Sequence, residues 1–181
     1  MSAEVLPEVT FEEFLAGERE GAQRHEWTAG EVFAMAGGSE RHDLMTGLVY
    51  EALAPAARRR GCRPFQQNRL VRLGDAAYYP DVVVVCPGRA PDRLFERDLS
   101  LVVEVLSAST ARVDRTEKAA AYSRAPSFQA YVLVDPERRR IEVGELYDGV
   151  LRWRVYGHGD VPALGTTVEQ FYDQLDATAA T

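Results

Sequence analysis

Two periods run through the apolar positions of this chain, and each predicts a different kind of element. Phe11, Phe14 and Leu15 make a short helical stripe, opened by Thr10 with Glu13 three residues on, the spacing of a capping box. His25-Glu26-Trp27 and Glu31-Val32-Phe33-Ala34-Met35 flank Thr28-Ala29-Gly30, which predicts a β-hairpin closed by a glycine-containing turn. Ser39 is placed to cap a long helix reaching about Arg60, along which Leu44, Leu48 and Leu53, with Met45 and Val49, recur at helical spacing. Pro55 is expected to kink this helix or end it early; otherwise Gly61 is placed to terminate it.

Strands are expected next at residues 62–66 and 69–73. Residues 81–86 are nearly pure valine after an aspartate, and residues 99–107 read Leu-Ser-Leu-Val-Val-Glu-Val-Leu-Ser. Such near-continuous β-branched runs predict central strands covered on both faces. A helix over 111–124 should stop before Pro126, and another central strand over 130–134 should end at Asp135-Pro136. Residues 140–146 and 151–156 pair as a hairpin around Tyr147-Asp148-Gly149, and a helix over 167–175, capped by Thr166 or Thr167, closes the pattern. Strands and helices interleave without strict alternation. The expected class is therefore α/β (α+β), a central mixed β-sheet flanked by helices, with a single domain over 8–175 and a flexible tail over 176–181.

The composition suits that picture: 181 residues, 46% hydrophobic and 27% charged. No apolar run approaches the roughly 20 residues that cross a bilayer, and the first residues do not read as a signal peptide, so the expected location is cytoplasmic. Cys62 and Cys86 lack zinc spacing and are too few for a disulfide framework; both are expected as buried thiols. A net charge of −7 argues against an ordinary nucleic-acid-binding surface. Two local clusters, Arg58, Arg59, Arg60 with Arg63, and Arg138 to Arg140, read either as phosphate contacts or as a solvated helix end and turn.

Candidate chemistry begins with carboxylates. Burying one in an apolar strand costs free energy unless it is paired or bound to a cation. Glu104 is such a residue, sharing a strand face with Val102 and Leu106, and Asp81 stands at the entrance of the valine strand. If the two strands are neighbours, the side chains converge as hard oxygen donors for a divalent metal, completed by water and phosphate oxygens. The bland alternative is a strand-capping Asp81 and a structural salt bridge from Glu104 to an arginine. After Glu104, Ser107, Ser109 and Thr110 form a polar loop able to cap the next helix, on which Asp114, Lys118 and Tyr122 recur every fourth residue. Asp114 and Lys118 also read as an ordinary surface pair. His25 and His42 have no metal-ligand partner at recognisable spacing. No Gly-x-Ser-x-Gly elbow, Walker loop or dinucleotide fingerprint is present.

The ordered set Tyr79-Pro80-Asp81, Glu104-Val105-Leu106-Ser107-Ala108-Ser109-Thr110, Asp114, Lys118, Tyr122 and Tyr131-Val132-Leu133-Val134-Asp135-Pro136 resembles the signature of the Uma-two family. The resemblance runs over roughly Glu8 to Leu175 and includes Glu26 with Gly30-Glu31, and His42. It implies a restriction-endonuclease-like fold of the PD-(D/E)xK nuclease superfamily, with Asp81 and Glu104 as metal ligands and Glu26, His42, Asp114 and Tyr122 lining the site. The superfamily's usual lysine would fall at Leu106 and is absent; the resemblance implies Lys118 in its place. On this reading the chain is a nuclease using Mg²⁺ or Mn²⁺ to hydrolyse DNA. The alternative is a non-catalytic module of the same fold that binds nucleic acid or protein. Edge strands and the aromatics Trp153, Tyr156 and Phe171 suggest a homodimer.

Overall fold

The computed structural model describes residues 8–35, 37–86 and 93–179. The first seven residues, read above for a leader, and the last two of the expected tail lie outside the described residues.

Local signals act where the pattern places them. In α1 (Phe11–Glu20) the Glu13 amide donates to Thr10 Oγ1 at 3.3 Å and the Thr10 amide donates to Glu13 Oε2 at 2.9 Å, a reciprocal cap. Strands β1 (His25–Thr28) and β2 (Glu31–Ala34) pair antiparallel around Ala29 and Gly30, at φ 48° and 86°. A two-residue hairpin turn needs both central residues in that region. Ser39 caps α2 (Glu40–Arg59) by accepting from the His42 amide. Pro55 sits inside α2 without ending it. The stop is Gly61 at φ 73°, where the Gly61 and Cys62 amides close onto the Arg58 and Ala57 carbonyls.

The strands were expected in one mixed sheet, but they form two principal sheets. The larger has the order β11-β10-β9-β8-β6-β3, from β3 (Arg63–Gln66), β6 (Val82–Val85), β8 (Leu101–Val105), β9 (Ala130–Asp135), β10 (Arg140–Tyr147) and β11 (Val150–Tyr156). Within it β8 and β9 run parallel and the other neighbours antiparallel. The second sheet, β2-β1-β5-β4-β7, gathers the first hairpin with β4 (Leu70–Leu73), β5 (Ala76–Tyr78) and β7 (Phe95–Glu96). Strands of two or three residues are too short to show a period, so β5 and β7 leave no clear sequence signal. A two-stranded ribbon, β12 (Asp160–Val161) with β13 (Thr166–Thr167), precedes α5 (Val168–Ala179).

Valine alternation sorts the large sheet's two faces. Val82, Val103, Val105, Val132 and Val134 pack against Met45 and Val49 of α2 and Phe171 and Leu175 of α5. Val83, Val102, Tyr131 and Leu133 face the other way, toward Tyr122 and, from the second sheet, Tyr78. Each fully buried aliphatic side chain contributes roughly 1.5–3 kcal/mol, which is how an unbroken valine run selects a two-sided interior position. The outer face of the second sheet is covered by α1, through Phe11 and Phe14 against Trp27.

The 111–122 helix, which crosses from β8 to β9, is not regular. It consists of α3 (Ala111–Val113), a π-turn (Asp114–Lys118) and α4 (Ala119–Tyr122). Side chains bond carbonyls at the start of this turn: Thr116 Oγ1 donates to the Arg112 carbonyl at 2.8 Å, and the Arg115 guanidinium to the Ala111 carbonyl at 3.3 Å.

Several expectations are corrected. Cys62 and Cys86 form a disulfide rather than two buried thiols, because they fall next to each other at the end of the antiparallel β3–β6 ladder. The pair therefore lends no support to a reducing compartment. The closing helix continues to Ala179, held where Asp176 meets Arg41 at 2.8 Å and Arg139 at 2.9 Å, so the expected loose tail from residue 176 is helical through 179. Phe171 is 3% exposed inside the core and cannot serve an interface, whereas Trp153, edge-on against Tyr131, stays 40% exposed. Of the two arginine clusters, Arg58 meets Tyr50, Arg63 meets Glu96, Arg139 meets Asp173 and Arg140 meets Glu142. Among the described residues, no helix is long and apolar enough to cross a membrane.

Candidate functional site

Strand register brings Asp81 and Glu104 together. Val82 pairs with Val103, so Asp81, one residue before β6, lies beside Glu104 on the face shared with Val102. Main-chain bonds lock the two together: the Val105 amide donates to Asp81 Oδ2 at 2.7 Å, and the Asp81 amide to Glu104 Oε2 at 3.3 Å. The salt bridge considered for Glu104 is made by a lysine of the 111–122 helix rather than by an arginine. Lys118 Nζ lies 3.4 Å from Glu104 Oε1, 3.4 Å from Asp114 Oδ1 and 2.9 Å from Glu26 Oε1. The Tyr122 hydroxyl donates to Glu104 Oε1 at 2.7 Å.

Four separate elements supply this cluster. Glu26 comes from β1 of the small sheet, Asp81 and Glu104 from the large sheet, and Asp114, Lys118 and Tyr122 from the helix wedged between them. His42, in the first turn of α2, reaches the rim, with Nε2 3.4 Å from Asp81 Oδ2 and Nδ1 3.5 Å from Asp43 Oδ1. All seven residues singled out in the sequence thus converge. The apparent surface pair Asp114 and Lys118 is buried, at 2% and 5% exposure. Leu106, the position of the superfamily's usual lysine, packs in the apolar cluster beneath the helix instead.

The electrostatics follow from four carboxylates gathered around one ammonium. Burial raises the pKa of Glu104 well above the ordinary carboxylate value, against the opposing pull of Lys118. Burial raises Glu26 and Asp114 as well, again opposed by Lys118. For Lys118, burial alone would favour the neutral amine. The surrounding carboxylates of Glu104, Glu26 and Asp114 outweigh that and raise its pKa, so it stays cationic. Contact with Asp81 raises the pKa of His42 despite partial burial.

Among the described residues, no three His, Cys, Asp or Glu side chains converge as a complete metal cage. The chemistry of the donors nevertheless fits a hard divalent cation. Asp81 and Glu104 are adjacent carboxylates fixed by main-chain donors, Asp81 keeps 15% side-chain exposure, and the cluster carries more negative than positive groups. An ion of the Mg²⁺ type uses one or two carboxylates and fills its other positions with water and phosphate oxygens.

Tyr78 and Glu18 escaped the sequence reading, and Tyr79, His25 and Tyr131 take contacts that it did not assign. Tyr78 puts its ring 5.5 Å from Lys118 Nζ, and the Tyr131 hydroxyl donates to the Asp114 carbonyl at 3.0 Å, fastening the π-turn to β9. On the far side of the small sheet, Glu18 accepts from the Tyr79 hydroxyl at 2.9 Å and lies 2.7 Å from His25 Nδ1. The dipeptide Tyr78-Tyr79 before Pro80-Asp81 is the one signal that could have pointed to both groups.

Comparison with known proteins bears on the family and the fold. Residues 11–177 match the family model Uma2, described as "Putative restriction endonuclease". An uncharacterized protein of Synechocystis sp., slr1290, is 30% identical over 143 residues, covering 76% of this chain and 74% of that protein. A second from the same organism, sll1609, is 27% identical over 139 residues, covering 74% and 78%. The crystal structure of "a putative nuclease belonging to DUF820" from Anabaena variabilis matches with a TM-score of 0.70 at 15% identity, covering 89% of this chain and 98% of that one. The fold they share is restriction-endonuclease-like, a mixed sheet flanked by helices.

Proposed function

This chain belongs to the Uma2 family, and from that membership and its paired carboxylates we propose that it is a divalent-metal-dependent nuclease hydrolysing phosphodiester bonds in DNA. The observation that carries the proposal is the juxtaposition of Asp81 and Glu104, cross-linked through main-chain amides, with Lys118 3.4 Å from Glu104. A Mg²⁺ or Mn²⁺ ion held by Asp81 and Glu104 would supply Lewis-acid polarisation of the scissile phosphate.

The chain's own residues do the rest. Tyr122 and the Asp81 amide each donate to one oxygen of Glu104, which fixes the carboxylate's plane. Lys118, pinned by three carboxylates, cannot take up a further proton. It therefore acts as a fixed positive charge that offsets charge developing on the phosphate, and not as a general base. Glu26 and Asp114 hold the ammonium in place. His42, at the more exposed rim beside Asp81, is the group positioned to exchange a proton with a leaving oxygen.

The test is cleavage of plasmid and single-stranded DNA in Mg²⁺ or Mn²⁺ by the wild type, Glu104→Ala and Lys118→Ala. Wild-type cleavage that EDTA and Glu104→Ala both abolish supports the proposal; a folded, metal-loaded wild type that cuts nothing argues against it. The second reading, a non-catalytic module, draws on the net charge of −7, which opposes phosphate binding away from the metal. It predicts nucleic-acid or protein binding unchanged by Glu104→Ala.

A further inference from the structure

The β1–β2 hairpin leaves an aromatic ring uncovered beside this site. Phe33 pairs with Glu26 in the antiparallel register, so both side chains leave the same face of the ribbon, with Cβ atoms about 5 Å apart. That face is the site's face, since Glu26 Oε1 lies 2.9 Å from Lys118 Nζ, and Thr28, two residues on, donates to the Tyr78 hydroxyl at 3.3 Å. Trp27, on the opposite face, is 8% exposed beneath α1, whereas Phe33 is 51% exposed.

The ring is open but its backbone is held. Four register pairs, the bonds from the Ala29 amide to the Asp75 carbonyl and from the Met35 amide to the Arg24 carbonyl, and the Val9 amide on Gly30 fix the hairpin from both ends. A large apolar ring exposed on a rigid support costs little to order on binding.

We infer that Phe33 is a base-stacking residue, so that the nucleic acid admitted here is single-stranded or unpaired next to the scissile phosphate. The inference rests on the nuclease reading above. From Phe33 the same face leads through Glu26 to Lys118, whose Nζ lies 2.9 Å from Glu26 Oε1 and 3.4 Å from Glu104 Oε1, so two side chains link the ring to the carboxylate pair. Charge sets the orientation of the strand. Exposed Glu31 shares the hairpin face with Phe33 and repels phosphates, whereas the Glu26 carboxylate is held by Lys118. A strand can therefore meet the hairpin only through its uncharged bases while its phosphate faces Asp81 and Glu104. A paired base has its π-face covered by its neighbours, and an unpaired base can offer that face to the ring.

The experiment uses the full chain with Ca²⁺ in place of Mg²⁺ and an oligodeoxynucleotide carrying 2-aminopurine, single-stranded or in a duplex. Binding is followed by fluorescence for wild type, Phe33→Ala and Phe33→Trp, with folding checked by circular dichroism. Expected are quenching by the wild type on the single strand, about tenfold weaker binding by Phe33→Ala with quenching lost, and recovery by Phe33→Trp. Equal binding by Phe33→Ala, or a duplex bound as tightly as the single strand, overturns the inference. If the wild type still cleaves DNA in a Glu104-dependent way, those results leave the nuclease reading standing. A wild type that neither binds nor cleaves any DNA overturns both.

Discussion

The hydroxyl of Tyr122 donates to Glu104 Oε1 at 2.7 Å, and both residues are buried. A buried carboxylate oxygen that loses its donor keeps the cost of leaving water. Tyr122→Phe is therefore expected to lower stability by about 1–2 kcal/mol in chemical denaturation. The freed carboxylate also loses its orientation, so Mn²⁺ affinity measured by titration calorimetry should fall about tenfold. Unchanged metal affinity would mean that Tyr122 does not set the orientation of Glu104, which the Asp81 amide and Lys118 also hold.

Lys118 stands between Glu26, Glu104 and Asp114 at about 5% exposure. Removing the cation from such a cluster leaves uncompensated buried charge, which costs roughly 3–5 kcal/mol. Lys118→Met should melt earlier than wild type in EDTA. A divalent ion replaces part of the missing charge, so Mn²⁺ should raise its melting temperature more than that of the wild type. Equal melting of the two proteins in EDTA would refute this account of the cluster.

Tyr79 gives a prediction at alkaline pH. Burial, together with the neighbouring Glu18, pushes its phenol up to about 12 from 10.0. The folded protein then keeps a proton that the unfolded chain gives up near pH 10, so the stabilisation is complete below that pH and is lost as pH rises to about 12. Denaturation of Tyr79→Phe across this window should show a shallower loss of stability, by an amount on the order of 2 kcal/mol.

The Cys62–Cys86 bridge closes a loop with a sequence separation of 24. Chain-entropy arguments give such a cross-link about 3 kcal/mol. Thiol titration of the denatured, unreduced protein should find no free cysteine, and Cys62→Ser with Cys86→Ser should lower the denaturation midpoint accordingly. Two titratable thiols in the native preparation would contradict the pairing.

Much of this was readable in the residues, for identifiable reasons. Ala29-Gly30 and Asp148-Gly149 force tight hairpins, and the valine runs around Asp81 and Glu104 read as interior strands; that the two carboxylates are neighbours hung on the pairing of those strands, which the β6–β8 register supplies. The second sheet was not, because β5 and β7 are too short to carry a period. The bridge was missed because proximity of Cys62 and Cys86 depends on the β3–β6 register, which no local pattern encodes. Phe171 was taken for a surface aromatic because helical spacing gives the width of an apolar stripe but not what covers it.

The π-turn at Asp114–Lys118 has a consequence for how this protein can change. An α-helix advances about 100° per residue, so one residue more or less re-aims every side chain on one side of the change relative to the other. Tyr131 anchors the turn from outside through the Asp114 carbonyl, and Tyr122 anchors its far end through Glu104. Deleting Arg115, Thr116 or Glu117 would turn Lys118 and Tyr122 together by about 100° relative to Asp114, so the helix could keep its Tyr131 anchor or its contacts with Glu104, but not both. Insertions and deletions should therefore accumulate in the turns of this fold and be excluded from this five-residue segment, whose length acts as the angular setting of the site.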